Sequence, residues 1–128
     1  MSGRVVHFEV PFDDGDRARG FYEDVFGWQI QEMPEMNYTI VTSGPSGDQG
    51  PTESGFINGG MLSREQAATR APVVVIDVDS IDDTLEKIGG VGGSTVVGKT
   101  PVGDMGFAAY FTDTEGNVVG LWETAPQG

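Results

Sequence analysis

Apolar and polar positions along the chain alternate in two periods, and the change from one to the other marks the elements. Arg4 to Pro11 (RVVHFEVP) is rich in β-branched and aromatic residues and predicts a strand. After a turn at Asp13-Asp14-Gly15, Ala18, Phe21, Tyr22 and Val25 fall at helical spacing, so Asp16 to Phe26 predicts a helix. Gly27 stops it, because a left-handed closing residue costs least without a Cβ. Strands are then predicted at Trp28 to Glu32, Tyr38 to Thr42 and Gly55 to Leu62.

The second half repeats this order. Val73 to Val78 is an apolar strand, Ser80 is placed to cap a helix over Ile81 to Ile88, and Gly89-Gly90 ends it. Strands follow at Ser94 to Gly98, Gly106 to Thr112 and Asn117 to Glu123. A shift of 66 residues lays His7 on Val73, Tyr22 on Ile88 and Gly27 on Gly93. Such an internal repeat predicts packing by pseudo-symmetry. The polar stretch 63-SREQAATRA-71 reads as a linker or short helix.

Length and composition narrow the range of functions. A chain of 128 residues is one domain by length and buries roughly two thirds of the surface its unfolded form exposes, so a core and a cavity are both within reach. Seven Lys plus Arg against twenty Asp plus Glu give a formal charge of −13, which repels phosphate backbones and anionic membranes. Nucleic acid and membrane are therefore not expected as partners. With no cysteine, disulfides, thiolate metal sites and cysteine nucleophiles are all excluded. No signal peptide or long apolar run is evident, and a soluble cytoplasmic protein is the default expectation. Twenty glycines and seven prolines cluster in 44-GPSGDQGPTESG-55, 89-GGVGG-93 and 101-PVGDMG-106, which read as loops between short elements.

The segments 20-GFYEDVFGW-28, Gly59-Gly60, 82-DDTLEKIGGVGG-93 and 107-FAAYFTDTEGNVVGLWE-123 resemble the vicinal oxygen chelate superfamily of glyoxalase I, bleomycin-resistance proteins and extradiol dioxygenases. The resemblance covers nearly the whole chain. It implies an α+β fold in which two pseudo-symmetric βαβββ modules, at about 4–62 and 72–124 around a linker at 63–71, form a cup-shaped curled sheet within a single domain. It also implies that the enzymes among the relatives bind a divalent metal at four symmetric positions, two per module.

Those positions transfer one by one. The first is a His fourteen residues before the aromatic of the aromatic-Tyr pair, and His7 stands fourteen before Phe21. The second aligns with Gly59, with Asn58 one register away, and the third, six residues before Asp79, is Val73. The fourth lies four past the turn glycine Gly116, at Gly120, and a shift of 61 carries Gly59 onto Gly120. Glu123 is not at that position: Gly120 and Trp122 share one strand face, while Val119, Leu121 and Glu123 share the other. A cation of this kind needs about three or four protein donors. His7 supplies one, whereas Val73 and the two glycines supply none, so no metal and no cofactor is expected. A shifted set of His7, Glu9 and Asp77 is conceivable from strand alternation alone.

His7 reads equally as a hydrogen-bonded imidazole lining the cup, and Glu9 and Asp77 as polar rim residues or, if enclosed, as bases. Trp28 reads as packing; Trp122 reads as packing or as a stacking platform. Gly59 and Gly120, without side chains, predict room at the floor of the cup. Two further motifs fail on context. The stretch 93-GSTVVGKT-100 matches the phosphate-cradling loop by letter, but Pro101 follows where a helix must begin. The stretch 77-DVDSIDDTLEKI-88 begins like a calcium loop but has Ile81, Asp82 and Ile88 at three positions that need other residues.

The expected function is a metal-independent protein that binds or sequesters a small apolar or aromatic molecule, has neither nucleic acid nor membrane as a partner, and assembles as a homodimer. The expected ligand-binding set is His7, Glu9, Gly59, Asp77, Phe107, Gly120 and Trp122. The alternative is a divergent glyoxalase-like enzyme, using a rebuilt metal site or a carboxylate base, and a third reading is a structural or regulatory subunit.

Overall fold

The computed structural model describes residues 3–126. Each half of the chain contributes four main strands hydrogen-bonded side by side, in the chain order second, third, fourth, first in both halves. They divide between two compact units: His7–Pro72, and Val73 onward together with the residues before His7.

In the His7–Pro72 unit, β1 (Val5–Phe12) leads into α1 (Gly15–Phe26), followed by β2 (Gln29–Met33) and β3 (Tyr38–Thr42). A small ribbon of β4 (Ser46–Gly47) and β5 (Gly50–Pro51) occupies the glycine-rich loop, and β6 (Asn58–Ser63) returns parallel to β1. Asp14 caps α1 by accepting from Arg17 N at 3.1 Å, and Gly27 closes it at φ 69°. The left-handed closure is the one that the sequence predicts.

The helix buries less than its periodicity suggests. Ala18 and Tyr22 turn partly inward, but Phe21 and Val25 lie on the adjacent stripe and are 55% and 58% exposed. Residues four apart share a face, so the two pairs define neighbouring lines on the helix and only one meets the sheet. Trp28 is packing: its ring stacks on Tyr22 at 4.7 Å and 6° and meets Phe8 at 5.5 Å. Val41 and Met61 are fully buried in this unit.

The other unit holds β7 (Val73–Asp77), α2 (Ile81–Gly89), β8 (Ser94–Val102), β9 (Gly106–Thr112) and β10 (Val118–Thr124). The chain's first residues join it, since Asp77 N donates to Arg4 O at 2.8 Å and Gly3 N to Asp77 O at 2.6 Å. Its core is Ile81, Ala109 and Leu121, with Ile76, Leu85, Ile88, Phe107 and Phe111 packed around them. Ser80 caps α2 by accepting from Asp83 N at 3.2 Å. The nucleotide-loop look-alike is strand throughout Ser94–Val102, and the calcium-loop look-alike is mostly helix α2. The stretch 63–71 forms a turn, with Arg64 paired to Asp13 at 2.9 Å, and not a helix.

Candidate functional site

Strand register decides which residues of the His7–Pro72 unit can act together. In the parallel pair β1–β6, His7 lies opposite Asn58, Phe8 opposite Gly59 and Glu9 opposite Gly60. In the antiparallel pair β3–β6, Ile40 lies opposite Gly60 and Val41 opposite Gly59. Directly paired residues point the same way, and neighbours along a strand point oppositely. One face therefore carries His7, Glu9, Tyr38, Ile40, Asn58 and Gly60. The other carries Phe8, Thr39, Val41, Gly59 and Met61 and turns toward α1, where Arg19 Nη1 donates to Thr39 Oγ1 at 3.4 Å.

The first face holds a hydrogen-bonded chain. His7 Nε2 lies 2.7 Å from Tyr38 Oη, and Tyr38 donates to Glu9 Oε2 at 3.1 Å. Glu9 is only 8% exposed. A carboxylate so enclosed is tolerated where polar partners replace water, and the Tyr38 hydroxyl is one of these. Burial lowers the His7 pKa below the ordinary 6.5, and the negative charge of Glu9 partly offsets the fall. His7 is consequently neutral at neutral pH. Tyr38 is the member of this hydrogen-bonded chain that sequence reasoning misses. Its strand is predicted correctly, and alternation through YTIVT places it on the Ile40 face, but only the pairing of β3 with β6 brings that face to His7.

The expected position of Gly59 needs correction. Gly59 faces α1, where a Cβ would stand 2.5 Å from the Phe8 carbonyl oxygen and 2.6 Å from its ring. The glycine on the His7 face is Gly60. The second unit supports this count: Val75 pairs with Gly120 as Glu9 pairs with Gly60, so the structural repeat carries Gly60 to Gly120, a shift of 60 and not 61. Nor does either glycine open a hollow. The Tyr38 hydroxyl occupies the place of a Cβ at Gly60, and at Gly120 a Cβ would meet Val75 Cγ2 at 3.0 Å and Tyr110 Cε1 at 3.4 Å.

In the Val73 unit, Gly120 and Trp122 share a face with Val75 and Asp77, as their parallel register requires. Trp122 is held by packing: Nε1 donates to Thr124 Oγ1 at 3.1 Å, and the indole covers Gly106, where a Cβ would come within 2.6 Å of it. Phe107 is a second correction. It pairs with Glu123 on the opposite face and packs against the core beneath α2, with Lys99 Nζ 4.3 Å from its ring centroid. The face of Phe107 follows from the β9–β10 register, which local pattern along β9 does not fix.

Glu123 lies on that same face. It accepts from Ile81 N, at the start of α2, at 2.8 Å and from Lys99 Nζ at 3.1 Å. The Ile81 amide holds its carboxyl below the usual range, with Lys99 adding to the effect. Alternation along β10 thus assigns the terminal carboxylate correctly: it completes a helix end.

The donors do not fit the divalent metal that the superfamily resemblance implies. The His7 Nε2 is engaged by Tyr38, Val73 has no donor atom, and neither Gly60 nor Gly120 has a side chain. Among the described residues, no three His, Cys, Asp or Glu are grouped to hold an ion. Two clefts of about 260 and 240 Å³ open on the His7–Pro72 unit, and neither is lined by His7 or Glu9.

The fold defines the class of protein first. Methylmalonyl-CoA epimerase of Streptomyces coelicolor superposes with a TM-score of 0.66 over 98% of this chain and 100% of its own, at 15% identity, which shows a shared fold. The family described as bleomycin resistance protein-like N-terminal matches residues 4–44. A glyoxylase-like domain-containing protein of Didymella fabae is 30% identical over 119 residues, covering 91% of each chain. Lactoylglutathione lyase of Haemophilus influenzae is 26% identical over 117 residues, covering 88% of this chain and 87% of its own. Two mycobacterial relatives match at 26% identity, and this chain spans 41% of their length. The chain belongs to the glyoxalase-like family of the vicinal oxygen chelate superfamily.

Proposed function

We propose that this protein binds a small apolar or aromatic molecule without a metal ion, and that His7 is the polar contact around which the ligand is placed. The observation that carries the reading is the His7–Tyr38–Glu9 chain, which engages the imidazole nitrogen in a hydrogen bond to Tyr38. A side chain committed in this way serves binding better than ligation, and the glycines opposite offer no further donors. The aromatic Tyr38, whose ring lies 6.3 Å from that of His7 at 19°, supplies apolar surface beside the polar contact.

A second reading is favoured by the neutral His7 beside the buried Glu9: a metal-free enzyme in which one of these groups accepts a proton. Relatives that carry lyase and epimerase names keep that reading in view. Isothermal titration against planar aromatic compounds, with elemental analysis of protein purified without chelator, tests the first reading. Binding tighter than millimolar by metal-free protein is expected. Stoichiometric zinc, nickel or iron, with binding lost on its removal, would overturn it.

Self-association belongs to the same proposal. It is supported by Phe21, Val25 and Phe26 on α1, each more than half exposed. Sedimentation of the full chain should give twice the monomer mass of 13.6 kDa.

A further inference from the structure

We propose that Tyr38 is a positioning residue: through Glu9 it fixes His7 as the Nε2–H tautomer, so that Nδ1 faces the ligand as an acceptor and the site selects molecules that donate a hydrogen bond. The ligand class rests on the binding reading above; the tautomer does not.

Counting protons along the chain gives the assignment. A phenolic hydroxyl carries one hydrogen, and an ionised carboxylate carries none. Tyr38 directs its hydrogen to Glu9 Oε2, so at the 2.7 Å contact with His7 the tyrosine oxygen must accept. The hydrogen in that contact is therefore on Nε2. A neutral imidazole has one N–H, which leaves Nδ1 with a lone pair.

That lone pair is open to a ligand. Among the described residues, no group bonds to Nδ1, and every side-chain nitrogen or oxygen sealed from solvent has a partner. Nδ1 is consequently reached by solvent. The preferred ligand is then one with an O–H or N–H, such as a phenol or a lactam. A carboxylate anion of the same shape sets its own lone pairs against Nδ1 and lies near the charge of Glu9, and a methyl ether has no proton to give.

The chain has one histidine, so imidazole NMR signals need no assignment by elimination. In ¹⁵N-labelled protein above the His7 pKa, long-range proton–nitrogen correlation should show a protonated Nε2, an unprotonated Nδ1 and an Nε2–H proton protected from exchange with water. Tyr38→Phe should lose that protection. Glu9→Gln, whose amide can donate as well as accept, should lower the Nε2–H fraction, and it provides the test if Tyr38→Phe fails to fold. In titrations of the wild type, phenol should bind about tenfold more tightly than anisole, the ratio expected for one hydrogen bond, and Tyr38→Phe should bring the two closer together.

An Nδ1–H tautomer in the wild type, or an unchanged Nε2–H signal in both variants, would overturn the assignment. Anisole binding as tightly as phenol would overturn the ligand class. If neither compound binds, the binding reading and the ligand class fail together, while the imidazole signals still decide the role of Tyr38.

Discussion

Replacing Glu123 tests whether the terminal carboxylate is structural. Its Oε1 accepts from Ile81 N at 2.8 Å, and its Oε2 meets Lys99 at 3.1 Å. Loss of an acceptor at a helix start costs about 1–1.5 kcal/mol. The Lys99 pair adds up to about 0.5 kcal/mol, since the two side chains are 30% and 16% exposed and share their attraction with solvent. Glu123→Ala should therefore lose about 1–2 kcal/mol, or roughly 4–7 °C in Tm for a chain of this length. Glu123→Gln keeps an acceptor for Ile81 and should lose about a third as much.

The pH dependence has a definite sign. The folded-state pKa of Glu123 lies below the ordinary 4.5, so its contribution is complete above that value and is lost as pH falls through the lowered one. The gap between wild type and Glu123→Ala should narrow in acid. Thermal and urea unfolding at several pH values provide the measurement. A gap below about 0.5 kcal/mol at neutral pH would refute the capping argument, given the cost expected for a lost helix-start acceptor. A divalent metal that raises the Tm of the wild type but not of Glu123→Ala would show that this carboxylate is a ligand.

Three other outcomes follow from the same geometry. Gly60→Ala should displace the Tyr38 hydroxyl, cost about 1–3 kcal/mol and weaken the protected His7 Nε2–H signal, whereas Gly59→Ala meets the Phe8 carbonyl and should leave that signal in place while lowering Tm. Because the folded pKa of His7 is lowered, the protein should lose stability as pH falls from about 6.5 through the folded value, and His7→Gln should flatten that slope in urea midpoints. Ser80→Ala, which removes the acceptor for Asp83 N, should cost about 1 kcal/mol in thermal unfolding.

The sequence by itself determined the elements and their order, because periodicity, caps and breakers act within a few residues. The helix from Ser80, the Gly27 closure and the strand at Gly106–Thr112 all stand where local pattern puts them. It also determined that Glu123 and Gly120 face opposite ways, since alternation along one strand needs no partner. Only the tertiary structure decided which faces of different strands meet. A one-residue difference in pairing moves a side chain to the other side of the sheet. For that reason Gly60 replaced Gly59, Phe107 went to the core beneath α2, and Tyr38 came to lie between His7 and Glu9 from a position 31 residues after the histidine.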